Sequence, residues 1–357
     1  MIDNITLTID DFKGNFDNCI GKKELKYDYK YILKSHNAKN PNTLRIRKRK
    51  DSNRVIIKNS LRRWYFGNTY VDDFVPESFK EMLVLLASKL NTSLDNLYEA
   101  RISQCEIGMN FRSRISNKEL ISTLELCKNV KKGKRYPGET VYYMGAAKKI
   151  IVYDKVKEIY KNQYRECDNA KELKAKNIQP QRIAMALEKH GIYFTRIEYT
   201  LTDSQSFKQQ GLGHIKNLGG LANNYKSLYE FFCKEVNFFR IIKASNIEVN
   251  DNMTEKEKKI IQGVKKQGLE GYINKIVSSC KSSTKNGFAK MKSEKRKEII
   301  EVVAKYSVRT LMKFKVDIFN RFLKLHKQDN QIPMNRIVRT LFVEKEKQKR
   351  ISTKEKK

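Results

Sequence analysis

The stretch from Val141 to Ile159, VYYMGAAKKIIVYDKVKEI, most constrains what this chain can fold into. Two short apolar-rich runs flank the Gly145–Ala147 turn, and a helix is expected to open near Lys155. In the second run, Ile150 to Lys155, the period of two places Ile151, Tyr153 and Lys155 on one face. A Tyr and a Lys so placed bring a hydroxyl nucleophile next to a fixed cation. Phosphodiester chemistry can use that pair, because the attacking oxygen must lose its proton beside a crowded anion. By itself the triplet is also an ordinary strand, since Tyr is a common strand residue.

Two further strands with unusual faces are expected. RISQCEIGMNF, from Arg101, puts Glu106, Gly108 and Asn110 on one side and Cys105 and Ile107 on the other. A carboxylate beside Gly and Asn marks a face that is either wet or lines a site. YFTRIEYTL, from Tyr193, puts Arg196, Glu198 and Thr200 on one face. Arg196 and Glu198 could equally form a surface ion pair contributing little. If the three strands pair in one antiparallel sheet, two carboxylates could bind a divalent metal that polarises a phosphate, with Tyr153 attacking in line and Lys155 or Arg196 neutralising the developing charge.

Charge narrows the partner. Lys and Arg number 74 against 40 Asp and Glu, a net charge of +34 in 357 residues, which calls for a polyanion. Nucleic acid leads, because no strongly amphipathic basic helix with aromatic anchors suggests a membrane surface. No apolar run approaches the ~18 residues of a membrane span, and the opening MIDNITLTIDDF lacks the pattern of a secretory signal. Six cysteines are scattered without a CxxC, and the four His are isolated. Reduced thiols in a cytoplasm fit that usage, and any metal would be a hard ion such as Mg²⁺ or Mn²⁺ held by carboxylates. No GxxxxGK[ST] occurs, so no ATP site is expected.

The rest reads as an α+β chain. ITLTIDDF and KYDYKYILKS are expected strands. TLRIRKRKDSNRVIIKNSLRRWYFGN is an expected hairpin around Asp51-Ser52-Asn53, broken at Gly67-Asn68. Its Arg45, Arg47, Arg49, Arg54 and Lys58 suit contact with DNA phosphates, or else form a solvated outer face. Val75 to Leu90 is an expected helix with an apolar stripe at Phe79, Met82, Leu83, Leu86 and Leu90. Ser113 to Lys132 is expected as a polar helix and linker, and 160–190 as charged helices. LGHIKNLGGLANN is expected as a loop. Helices should dominate from Tyr225 onward, including Ser293 to Lys327 with Ile299, Ile300, Val303, Leu311, Ile318, Phe322 and Leu325 in register. The expectation is an antiparallel-sheet catalytic domain with packed helices over 1–210, a mainly helical region over 211–343, and a disordered basic tail over 344–357.

The series RISQCEIGMNF, ETVYYMG, KKIIVYDKVKEI and YFTRIEYTL resembles the phage and plasmid replication initiators of the gene II/X type, over roughly residues 60 to 240. WYFGN, Trp64 to Asn68, is similar to that family's aromatic-Gly-Asn stretch. The family is related to the initiators of staphylococcal rolling-circle plasmids. The resemblance implies site-specific nicking of one strand at a replication origin, with a Tyr joined to the 5′-phosphate, a 3′-OH freed for priming, and later rejoining. It implies Tyr153 as nucleophile, Glu106 and Glu198 as metal ligands, and Lys155 as electrostatic helper. Asn110, Glu158 and Arg196 are implied as supporting residues; Glu158 could instead cap the helix or pair with a Lys. Glu106 departs from the family's more usual Asp. Tyr143 and Tyr193 are the other candidate nucleophiles, and Asp154 is expected to face away. Host helicase and polymerase would be partners. A mobilisation relaxase with the same chemistry and a non-catalytic origin-binding or copy-control protein are the alternatives.

Overall fold

The computed structural model describes residues 1–38, 40–67, 72–126, 131–136, 138–145, 148–158, 186–279 and 285–343. Its centre is an antiparallel sheet built mostly from the amino-terminal two-thirds of the chain. The strands are β1 (Ile2–Ile9), β2 (Ile20–Glu24), β3 (Asp28–Lys34), β4 (Thr43–Arg49), β5 (Val55–Ser60) and β6 (Arg101–Ser113). After these come β7 (Leu124–Leu126), β8 (Lys131–Tyr136), β9 (Thr140–Met144), β10 (Lys148–Asp154), β11 (Tyr193–Leu201) and β12 (Phe239–Ile241). Ten of them run in the order β2-β3-β4-β5-β1-β6-β11-β10-β9-β8, while β7 and β12 pair separately. The fold is α+β, as the alternation of strands and then helices leads one to expect.

β6 is the axis of this sheet. It is long enough to pair with β1 along its first half and with β11 along its second. Its alternation sorts the residues cleanly: Cys105, Ile107, Met109 and Phe111 are buried in the core. On that side Phe111 packs edge-on against Phe314 of the Val308–His326 helix, and Tyr199 of β11 against Phe231 and Phe232 of the Lys226–Val236 helix. One hydrophobic cluster therefore joins strand residues such as Ile107 to carboxyl-terminal residues such as Phe314, Ile318 and Phe322. A second, smaller cluster lies between the Glu255–Ser278 and Lys285–Tyr306 helices, around Ile261, Ile273 and Val303.

The expected helical stripe is core: Phe79, Met82, Leu83 and Leu86 are buried along helix α2 (Pro76–Lys89), with Leu90 just beyond. The expected 293–327 stripe spans two helices, Lys285–Tyr306 and Val308–His326, separated at Ser307. All seven of its apolar residues are buried.

Two local expectations fail for identifiable reasons. LRRWYF is not the end of a strand but helix α1 (Leu61–Phe66), because the Ser60 side chain caps it by accepting from Arg63 N. Leu61 and Trp64, one helical turn apart, then reach the core. NLGGLANN is not a loop: Leu218–Asn223 is helical, capped by Asn217. A Cβ on Gly219 would stand 2.9 Å from Tyr98 Cβ, so that glycine lets the turn lie flat against its neighbour. Asn68, most of 160–190, and the tail 344–357 lie outside the described residues.

Candidate active site

Strand register brings the three unusual faces together. Tyr153 on β10 stands opposite Arg196 on β11, which stands opposite Asn110 on β6. One rung along, Ile151, Glu198 and Gly108 are aligned; one further, Lys149, Thr200 and Glu106. Glu106 and Glu198 are therefore diagonal neighbours on one face.

At the centre lies Arg196, fully buried. Its Nε donates to Glu198 Oε1 at 2.6 Å, Nη1 to Asn110 Oδ1 at 3.0 Å, and Nη2 to Asp3 Oδ2 at 2.8 Å. Asp73 lies 3.6 Å from Nη1. Burial disfavours the guanidinium charge, but Asp3 and Glu198 more than compensate and raise its pKa far above the ordinary value. The expected surface ion pair is thus corrected: Arg196 and Glu198 form the buried heart of a network. Gly108 makes room for it, since a Cβ there would meet Arg196 Nη2 at 2.8 Å and Glu198 Cγ at 2.9 Å.

Tyr153 is 8% exposed, and its hydroxyl donates to Glu198 Oε1 at 2.9 Å. Burial and the Glu198 carboxylate push the phenol well above 10, while Arg196 opposes them. Tyr143, the first rival, is buried in the core and donates to Leu124 O at 2.7 Å. Tyr193 sits at the start of β11, three positions from Arg196.

Lys155 does not continue the strand. β10 ends at Asp154, residues 155–158 are helical, and Asp154 Oδ1 caps the turn by accepting from Lys157 N at 3.0 Å. The buried Lys155 ammonium still lies under Tyr153, 5.6 Å from the ring centroid, and donates to Glu158 Oε2 at 2.7 Å. Burial, only partly offset by Glu158, lowers its pKa to about 8. Glu158 is pushed up by burial but held low overall by Lys155 and by Arg63, whose Nη2 lies 2.6 Å from Oε1. It pairs with cations; Asp154 does the capping. Asn110 lies inside its strand, which continues to Ser113, and orients Arg196.

Glu106 accepts a hydrogen bond from the Asn4 amide. Burial, then the nearby Glu198, raise its carboxyl to about 7. Repulsion between the two carboxylates is what a divalent cation would relieve. Among the described residues no group of three His, Cys, Asp or Glu could hold a metal. The protein offers two carboxylates on one face, which fits Mg²⁺ or Mn²⁺ taking its remaining ligands from water and phosphate.

A cleft of about 440 Å³ opens beside this network, lined by Tyr142, Ile151, Tyr153 and Glu198 together with Glu139, Asp154, Lys157 and Glu158. Neither Arg196 nor Lys155 reaches its surface: both are fully buried, so neither can contact a phosphate there directly, contrary to the role expected for them.

Several residues of this network escape sequence reasoning. Asp3 and Asn4 enter from the far end of the chain through a register shift in the β1–β6 ladder, which turns consecutive residues toward the same cluster. Arg62 is buried with its Nε 3.4 Å from Asp3, and Asp73 is gripped by Arg321 at 2.9 Å. Burial alone would raise Asp3; Arg62 and Arg196 hold it far below the usual carboxylate range. Nothing local marks these residues, although a pair of arginines directly before a Trp is a weak hint.

The hairpin is where the sequence puts it, β4 and β5 around Asp51–Asn53, with Arg45, Arg47 and Lys58 exposed. Arg49 lies 3.7 Å from Asp28, and Arg54, in the turn, 3.5 Å from Asp10. Arg45 stands directly opposite Lys58, which stands opposite Thr6 on β1, two residues from Asn4. These cations therefore share the sheet face that carries Glu106 and Glu198. No protein family, curated protein or solved structure matches this chain.

Proposed function

We propose that the protein is a metal-dependent DNA nickase and strand transferase acting in rolling-circle replication, with Tyr153 as nucleophile. The observation that carries this reading is the Tyr153–Glu198 hydrogen bond on a face that also holds Glu106. A hydroxyl aimed at a carboxylate has its proton acceptor in place. Tyr153 Oη would attack the phosphorus of a scissile phosphodiester, its proton passing to Glu198. The P–O3′ bond would break, the departing 3′ oxygen taking a proton from water, which leaves a 5′-phosphotyrosine link and a free 3′-OH. The link conserves the phosphodiester energy, so strand transfer can reverse it without ATP.

Glu106 and Glu198 would hold Mg²⁺ or Mn²⁺, which when bound supplies Lewis-acid polarisation of the phosphate. The cleft favours such a requirement, because Glu139, Glu158 and Glu198 repel an approaching phosphate while, among the described residues that line it, Lys157 is the cation. Arg196 acts as a positioning residue, orienting Glu198 and lowering the phenol's resistance to ionisation. Arg45 and Lys58, like charges placed opposite each other, destabilise the bare sheet and suit a bound phosphate backbone. The reading places the protein in a bacterial cytoplasm, with origin DNA, host helicase and polymerase as partners. The same chemistry would serve a mobilisation relaxase, and the two differ in the cognate DNA.

The near-complete burial of Tyr153 favours a second reading, a DNA-binding protein without chemistry. One comparison separates them: supercoiled plasmid carrying the cognate origin, with Mg²⁺ or Mn²⁺, incubated with wild type or Tyr153→Phe. Wild type is expected to nick and to leave a covalent 5′ adduct that the variant cannot form. An adduct formed by Tyr153→Phe would move the role to another tyrosine, and binding without nicking by either protein would leave the non-catalytic reading.

A further inference from the structure

Away from the tyrosine cleft, a larger one of about 660 Å³ opens where the far end of β6 meets the Val308–His326 helix. Its two walls are cationic. Arg112 and Arg114, two positions apart on the exposed side of the chain leaving β6, line one wall. Lys324 and Lys327, the latter just past the helix end, line the other and are also exposed. None of the four makes an ion pair among the described residues. Two carboxylates, Asp72 and Asp317, also line the cleft, and Asp317 is turned to Ser113 Oγ and to Arg114 N, at 3.4 and 3.1 Å. Burial first, and then Arg112, Arg321 and Lys327, lower the Lys324 ammonium below its ordinary pKa, so these cations repel one another.

The floor is apolar. Phe111, Phe194 and Leu323 line it, and the Arg112 guanidinium lies over the Phe194 ring at 5.6 Å from its centroid. We infer that this cleft is a nucleic-acid subsite, binding the phosphate backbone of a DNA or RNA segment with sugars and bases against the apolar floor. Two rows of cations spaced by about 6–7 Å on a strand and about 5–6 Å on a helix suit repeated phosphates rather than one convergent anion. A membrane surface would instead need several apolar groups that protrude, whereas Phe111 and Phe194 are buried and Leu323 is the one of the three that is exposed. The cleft abuts the tyrosine network, because Asn110 lines it while accepting from Arg196. This inference shares with the nicking reading only that nucleic acid is the partner.

The test uses full-length protein carrying Tyr153→Phe, in EDTA, so that binding is read without chemistry. A fluorescent oligonucleotide of about 16 nucleotides and arbitrary sequence serves as the probe, single-stranded in one arm and duplex in the other. Arg112→Gln/Lys324→Gln/Lys327→Gln is expected to bind at least about tenfold more weakly near physiological salt. Its log–log salt slope should be shallower by about 2, at about 0.7 per single-strand contact. The charge-retaining Arg112→Lys/Lys324→Arg/Lys327→Arg should bind within about twofold of the parent. Lys259→Gln/Lys265→Gln/Lys266→Gln, on the exposed side of the Glu255–Ser278 helix, removes equal charge elsewhere. An equal loss in that control, an unchanged slope in the cleft variant, or no binding by the parent protein would overturn the inference. The arm with the larger loss identifies the strand form the cleft holds.

Discussion

A buried arginine with three hydrogen-bond acceptors and a further carboxylate around it is costly to build and hard to change. Arg196 survives in the interior because Asp3, Glu198, Asn110 and Asp73 surround its guanidinium; removing a carboxylate would take away compensating charge, and removing Asn110 a hydrogen-bond acceptor. Glu106 lies at the edge of this balance: burial and Glu198 raise its pKa, and the opposing pull of Asn4 and Arg196 is too small to offset them. Its folded pKa of about 7 lies above the ordinary 4.5, so the group penalises folding wherever it must ionise. The penalty is absent below about pH 4.5, grows between there and 7, and is full above. In metal-free buffer, Glu106→Gln should therefore stabilise the protein at pH 8, by about 1–3 kcal/mol from 1.36 kcal/mol per pKa unit. It should have little effect at pH 4, since the Gln carbonyl can still accept from Asn4. Thermal unfolding against pH checks this, and a stabilisation that does not grow with pH would contradict it.

Elements fix how close such residues can come. β6 carries Glu106, Gly108 and Asn110 on the face of β11 that holds Arg196 and Glu198, and the bare Gly108 backbone is what the arginine passes over. Gly108→Ala would put a methyl within 2.9 Å of Glu198 Cγ and of Ile197 O. Overpacking a rigid sheet costs about 1–3 kcal/mol, here with displacement of the Tyr153–Glu198 pair. The variant should lose stability by that amount in urea and, on the function proposed above, also lose nicking. Stable folding with full activity would show that the sheet has more room than its register implies. The hairpin is the contrasting element. Its turn, its alternation and its exposed Arg45, Arg47 and Lys58 were all legible from residue order, because a two-stranded ribbon is set by local chemistry.

At the scale of the whole molecule, the carboxyl-terminal helices hold up the back of the sheet. Phe314 touches Phe111 of β6 and Phe239 of β12, and Arg321 reaches Asp73 beside the arginine network. Phe314→Ala should cost about 3–5 kcal/mol, the range for a deleted buried aromatic. Hydrogen exchange should show the loss in β6, some 200 positions away in the chain. Exchange that speeds up only within the Val308–His326 helix would mean that helix and sheet unfold independently.

Residue order alone determined the local period of each segment. β6, β10 and β11, the α2 stripe and the paired carboxyl-terminal stripe are readable because a period of two or of 3.6 is a property of neighbours. It determined that Tyr153, Glu106, Asn110, Arg196 and Glu198 are each on a definite face of their strand. Only the tertiary structure decided that these faces adjoin, since β6, β10 and β11 are separated by dozens of residues, and pairing order is settled by how the whole core closes. It alone brought Asp3, Arg62 and Asp73 to the same place, and it turned Arg196 inward. Whether a charge lies in water or in a low-dielectric interior depends on what packs over it, and that is contributed by chain segments far away in sequence.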